Sequence, residues 1–227
     1  MVGSLQEVHG NVYVFHAGET SAFQLKKDLP VFQGDTLVAM TRSRAIVKLQ
    51  DESAFALAPG SKLVIDKSIY DPAKNERSSF LKLLFGRARF FVAKLKGKTD
   101  YKVGTPTAVC GLRGSDFALA VFPYKEKTSW LENLTASLNP VPPAYAQDPS
   151  AVLATVVCTG EQTTITFTGL MAPLQNLGPI QLSWAPPGQA ASSPIQVTLG
   201  QALGALNSVG PNLAAISMPP GSDASLD

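Results

Sequence analysis

Residues 101–122, YKVGTPTAVCGLRGSDFALAVF, decide how the chain folds. Pro106 fixes its own φ and pushes Thr105 into extended conformations, so Gly104, Thr105 and Pro106 break the run. Beyond the break Ala108, Cys110 and Leu112 alternate with Val109 and Gly111, and a second punctuation falls at Gly114. Phe117, Leu119 and Val121 then share one side of an extended chain, while Ala118, Ala120 and Phe122 share the other. Both sides are apolar, which predicts a central strand covered on two faces. Arg113 departs from the pattern, because a guanidinium keeps its charge and is seldom buried without a carboxylate or carbonyl partner. Two readings are open for it. Arg113, Gly114, Ser115 and Asp116 form a turn closed by a buried bond from the arginine to Asp35, Asp51 or backbone carbonyls, or they form a solvated loop.

Upstream, short units of the same kind repeat. Residues 8–15 (VHGNVYVF) and 21–25 read as strands, and Gly34 with Asp35 turns the chain into another at 36–40. Ala45, Val47 and Leu49 alternate with Arg44, Ile46 and Lys48, a strand with one firmly apolar face. Asp51-Glu52 and Pro59-Gly60 supply turns on either side of a strand at 53–58; another strand follows at 61–66, then a polar loop at 71–77. The run at 80–95, FLKLLFGRARFFVAKL, is rich in aromatics and broken at Gly86. Its alternation of Arg87 and Arg89 with Ala88, Phe90 and Val92 predicts a strand with the arginines facing outward. Strands and turns recurring at roughly 8 to 12 residues are the pattern of all-β folds.

Downstream the composition changes. All 19 Lys and Arg lie at or before Lys127, against 12 Asp and Glu, a formal +7; from Thr128 onward there are 5 acids and no Lys or Arg, a formal −5. Proline and small residues gather in NPVPPAYAQDPS (139–150), APPGQAASSP (185–194) and SMPPGSDASLD (217–227). Trp130, Leu131, Leu134 and Leu138 have helical spacing, so a turn or two of helix is expected there before the prolines at 140, 142 and 143 end it. Strand signals return at 152–158, 163–167 and 180–184. The expected organisation is an all-β domain over 1–200 with an insertion at about 123–150, then a flexible tail over 201–227. Two cysteines exclude a disulfide-dense scaffold and a structural zinc protein. No run of 18 apolar residues occurs, so no transmembrane segment is expected, and VGSLQEVHG after Met1 is not a basic-then-apolar leader.

Ordered motifs carry a resemblance. Gly34-Asp35 precedes a strand, Ser43-Arg44-Ala45 opens one, and Asp51-Glu52-Ser53 makes a turn. Leu83 to Arg87 forms a Leu-x-x-Gly-x strand, and Thr105-Pro106 leads to Arg113-Gly114-Ser115. In that order the sequence resembles the FecR domain of bacterial periplasmic proteins, over residues 8–122 and again from 152. The resemblance implies short strands coiled into a compact β-roll or β-helix-like sandwich, export across the inner membrane, and binding or signal relay rather than catalysis. Glu52 stands where that family prefers Gly, Ser115 where it prefers Thr, and the Pro-rich insertion separates the last two strand groups. Iron-signalling members of the family also carry a cytoplasmic sigma-factor-binding region, a membrane helix and a further C-terminal domain. None is recognised here, so a free-standing periplasmic or secreted domain, its signal peptide removed, is expected. In an oxidising compartment a lone pair of cysteines is usually joined, and neighbouring strands bring Cα atoms within bridging range. Cys110 and Cys158 are therefore expected to form a disulfide; the alternative is two buried free thiols.

Residue types that carry catalysis are scattered. His9 and His16, seven apart, fall on opposite faces of an ideal strand, and no metal or other cofactor is expected. Ser115 and Asp116 lack a Gly-x-Ser-x-Gly elbow and a nearby histidine; no Gly-Lys-Ser/Thr phosphate loop occurs; Asp35, Asp51 and Asp66 fall in turns. An enzyme is not expected, and a hydrolase is the outlying alternative. Lys94, Lys96 and Lys98 alternate with Leu95 and Gly97, so an extended chain sends all three one way, with Lys102 close behind. Such lysines either protect an exposed strand edge or face peptidoglycan, lipopolysaccharide or an acidic protein. Nucleic acid is not expected, since no base-stacking aromatics interleave with them. The sequence thus predicts a non-catalytic module for an envelope protein, with a carbohydrate- or peptidoglycan-binding module as the alternative. Structural weight falls on Arg113, Gly114, Asp35, Asp51, Cys110 and Cys158, and partner contact on the four lysines.

Overall fold

The computed structural model describes residues 1–112, 115–123, 153–159, 165–169, 175–178, 181–185 and 193–196. Among them there are seventeen strands and no helix, so none is long and apolar enough to cross a membrane. The helical turn expected at 130–138, the insertion from 124 to 150, the tail after 200, Arg113 and Gly114 all lie outside the described residues.

The strands pair into two ladders. One runs β4 (Pro30–Val31), β1 (Gly3–His9), β6 (Arg44–Leu49), β7 (Ala54–Leu57), β9 (Glu76–Val92), β12 (Ser115–Pro123), β13 (Leu153–Thr159), β16 (Gln181–Ala185) and β17 (Ile195–Gln196). The other runs β3 (Phe23–Gln24), β2 (Val12–Phe15), β5 (Thr36–Ala39), β8 (Ser61–Asp71), β9 again, β10 (Thr99–Gly104), β11 (Ala108–Leu112), β14 (Ile165–Gly169) and β15 (Gln175–Leu177). Every pairing is antiparallel except β9 with β10. The two ladders are one mixed sheet, joined through β9: residues 76–85 pair with β8, and residues 86–92 pair with β12.

The joint is sharply bent. Residues 77 and 93 would stand roughly 50 Å apart in a straight strand, far beyond the reach of one side chain. Yet Nη2 of Arg77 donates to the carbonyl of Ala93 at 2.6 Å. The strand doubles back at Gly86, whose φ of +87° lies where L side chains are strained. A Cβ there would sit 2.5 Å from Cα of Ser61 and 2.7 Å from the carbonyl of Gly60. Ser61 Oγ fastens the bend, accepting from the Arg87 amide at 2.9 Å and donating to the Arg87 carbonyl at 2.8 Å.

Between the ladders lies one hydrophobic core fed from both, with Leu63, Leu81, Val103 and Cys110 from one side and Leu5, Phe55, Phe90 and Leu119 from the other. Phe55, Phe90 and Phe117 stand opposite one another on β7, β9 and β12, with ring centroids 6.2 and 5.1 Å apart. Such cross-strand aromatic pairs stabilise beyond their buried area. The central strand expected at 117–122 is β12, paired on both sides, with Phe117, Leu119 and Val121 in the core and Ala118 and Phe122 buried on the other face.

Three local expectations need correction. Residues 8–15 are not one strand: Gly10 and Asn11 turn between β1 and β2, with the Asn11 amide bonded to Ser43 Oγ. The polar loop at 71–77 is shorter, because Asp71 still pairs with Glu76 and Tyr70 with Arg77; Asp71 accepts from the amides of Ala73 and Lys74 to close the hairpin. Arg87 and Arg89 are buried rather than turned to solvent, since the outer side of these strands is covered too, around Ile46, Ala54, Ala56 and Phe91.

Gly86→Ala is expected to lose about 1–3 kcal/mol from backbone strain alone. A urea or thermal melt equal to that of the unchanged protein would show that β9 does not depend on this bend.

Candidate functional site

The densest polar cluster closes the open end of the bent strand. Asp51, in the turn between β6 and β7, accepts from the amide and hydroxyl of Ser53, each at 3.1 Å. Nη1 of Arg77 donates to Asp51 Oδ2 at 3.0 Å and to Ser53 Oγ at 2.9 Å. The Ala93 amide donates to the same Ser53 Oγ at 3.2 Å, and the guanidinium lies 5.3 Å from the centre of the Tyr101 ring. All four side chains are buried, and Arg77 Nε and Tyr101 Oη have no hydrogen-bond partner. Burial first, then the Asp51 carboxylate, pushes the Tyr101 phenol well above its ordinary range, opposed by Arg77. Glu52 has a φ of +65°, the left-handed conformation that glycine adopts without strain, at the position where the resemblance leads one to expect Gly.

Two further ties use the buried Asp35 and the partly exposed Asp116. Asp35 accepts from the Phe32 amide at 2.8 Å and bonds Nδ1 of His16 at 2.7 Å, which fixes the turn between β4 and β5 to the end of β2. His16 in turn packs beside the rings of Phe23 and Phe32. Asp116 takes both Nε and Nη2 of Arg89, at 2.9 and 2.6 Å, a two-point bond between β12 and β9. Asp35 and Asp51, named from the sequence as partners of Arg113, are thus engaged by His16 and by Arg77. Arg77 was missed because it fell in a presumed loop; its only signal was a lone arginine opening a run of alternating residues.

Cys110 is a free, buried thiol, so the expected bridge to Cys158 is not formed. The two do not sit on neighbouring strands: Cys110 pairs with Val103 and Phe167 in one ladder, Cys158 with Ala118 and Leu182 in the other. Burial pushes the Cys110 thiol far up, which leaves little nucleophilic thiolate. Among the described residues no group of three or more His, Cys, Asp or Glu converges as a metal site would require. Asp66 is half exposed and pairs with Lys82.

The lysines lie elsewhere. Exposure alternates residue by residue from Lys94 through Lys96 and Lys98 to Lys102, as the spacing predicts. Residues 93–98 form no strand, however, and β10 is paired on both sides, so the edge-protection reading does not apply. Lys102 pairs with Asp100 at 2.8 Å, whereas Lys94, Lys96 and Lys98 make no ion pair among the described residues.

Fold and cluster define an all-β domain whose buried charges tie one strand to another. A family model described as FecR protein matches residues 35–131, in line with the resemblance carried by the sequence motifs. The matched span takes in Asp35 itself, the Arg77–Asp51 and Arg89–Asp116 pairs and all four lysines. No curated protein matches the chain. Two crystal structures of a "putative anti-sigma factor" from Parabacteroides distasonis ATCC 8503 are similar at a TM-score of 0.45, with 11% and 12% identity. Each covers 70% of this chain, which spans 59% of theirs.

Two outcomes follow from the buried groups. The fold holds Tyr101 neutral, so its contribution to stability is complete below pH about 10 and is lost as pH rises beyond, where the unfolded chain gives up that proton. Tyr101→Phe also removes an unpartnered hydroxyl, and it is expected to leave stability at pH 7 unchanged or raise it by about 1–3 kcal/mol while flattening the alkaline limb of the melting curve. A loss at pH 7 would mean that the hydroxyl is bonded. In a Cys158→Ser variant, Cys110 should stay silent to a thiol reagent until the protein unfolds; prompt reaction of the folded protein would contradict its burial.

Proposed function

We propose that this chain is a non-catalytic, exported module that relays a signal at the cell envelope by binding a protein partner. The observation that carries the reading is the FecR match over residues 35–131. The chemistry agrees with it. Asp51 and Asp116 bond Arg77 and Arg89, Asp35 bonds His16, and the one described thiol is deprotonated only with difficulty. A domain built this way offers contact rather than turnover.

A second reading rests on a specific observation, the three exposed lysines 94, 96 and 98 without ion pairs among the described residues. It makes the domain a binder of an anionic envelope polymer such as peptidoglycan or lipopolysaccharide. One experiment separates the two. The purified domain is used to capture partners from envelope extract and, in parallel, is sedimented with purified peptidoglycan at low and raised salt. The relay reading expects one protein recovered in stoichiometric amount at moderate salt and no sedimentation with glycan. Sedimentation that salt abolishes, and that Lys94→Gln with Lys96→Gln and Lys98→Gln removes, would replace it with the polymer reading. Periplasmic location is tested by fractionating cells that carry the full gene; recovery in the cytoplasm alone would overturn export.

A further inference from the structure

The outward face of β2, β5 and β8 carries a groove that the ties above do not use. On β2, Val12 and Val14 enter the core, so Tyr13 and Phe15 face the other way; on β5, Leu37 and Ala39 enter the core, so Val38 faces outward beside them. With Ala22, Met40 and Lys62 these residues line a depression of about 490 Å³ across three adjacent strands. The solvent face of an antiparallel sheet is ordinarily polar, and this one is apolar and aromatic. Met40 at its rim is 42% exposed, and Phe23, next to Ala22, is 48% exposed.

Its charges have one sign. No acidic residue lines the groove. Lys62 stands in the wall, and Arg42, one residue beyond the lining Thr41, is exposed; neither makes an ion pair among the described residues. An apolar floor with cations at the rim complements an apolar group that stands beside negative charge. The volume lies within the range of pockets that take side chains and small ligands, roughly 300–1,000 Å³, and aromatic anchors dominate contacts of this size. Because the groove crosses several strands, it suits a length of chain.

We propose that this groove is the docking site for an extended segment of the protein partner, one that presents an aromatic side chain next to carboxylates. The proposal rests on the relay reading and names the surface through which it works, in place of the lysines at 94–102.

The test uses the full chain, labelled with ¹⁵N, and an acetylated, amidated hexapeptide of alternating Phe and Asp as the probe. Twin peptides carry Lys in place of Asp or Ser in place of Phe. Expected are saturable amide shifts confined to residues 13–15, 38–41 and 60–62, with a Kd below about 1 mM, weakened by salt and absent with both twins. Lys62→Glu should weaken binding roughly tenfold, and Met40→Asp should abolish it, with both variants retaining dispersed spectra and the original melting temperature. Should either variant unfold, Lys62→Gln is titrated in its place, with a smaller loss expected. No shifts near 1 mM peptide, equal binding of the Lys twin, or shifts at residues 94–102 would overturn the proposal. A partner captured from envelope extract that binds Lys62→Glu and Met40→Asp as well as the unchanged protein would sink the groove and leave the relay reading standing. If no partner is captured, the peptide titration still decides the groove.

Discussion

One guanidinium closes the molecule. Arg77 opens β9 and Ala93 follows its end, so a bond between them requires the whole strand to fold back on itself. Because the two halves of β9 are the middle strands of the two ladders, this closure sets the distance at which the ladders face each other and hence the thickness of the core. Asp51 and Ser53 hold the guanidinium from the first ladder, Tyr101 lies beneath it in the second, and Gly86 makes the opposite corner. Burying a charge in this way is unfavourable unless its partners are complete. Here Nη1 and Nη2 are satisfied and Nε is not, so the closure is tight without being fully compensated.

That use of charge bears on function. An acid–base or nucleophilic site needs titratable groups converging on a space that a substrate can enter. Among the described residues, the carboxylates of Asp35, Asp51 and Asp116 are taken up by other side chains. Asp51 and Asp116 each bond an arginine, Asp35 bonds His16, and Cys110 lies in the apolar core. The same accounting explains how the domain tolerates strongly apolar strands: charged partners supply cross-strand register where the apolar side chains alone would permit slippage. At the surface of the described residues stand the exposed Lys94, Lys96 and Lys98 and the aromatic face of β2 and β5.

Much of this was legible from residue order. The alternation in residues 108–112 and 117–122 gave the right faces because strand periodicity is local, and the FecR motifs fell on real corners: Gly34-Asp35 at a turn with a bonded carboxylate, Asp51-Glu52-Ser53 at another, Gly86 at the bend. Pairing across the chain was not legible. Nothing near Arg77 in sequence announces Asp51, and Arg89 reads as an outward residue until β12 brings Asp116 beside it. The cysteine expectation failed for the same reason. Each cysteine was rightly placed in a strand, but local pattern does not say which ladder a strand joins, and the two ended in different ones. Arg113, singled out first, lies outside the described residues; Asp51, one of the partners expected for it, is bonded by Arg77.

The account stands or falls on whether the Arg77–Asp51 contact holds the two ladders together. A double-mutant cycle measures this directly: urea unfolding of the unchanged protein, Arg77→Ala, Asp51→Ala and the double variant. Each single change should lose about 3–5 kcal/mol by stranding its partner, and the double variant should lose less than the sum, with a coupling of about 2 kcal/mol or more. Additive losses, with a coupling below about 0.5 kcal/mol, would mean that the closure of β9 does not rest on this pair.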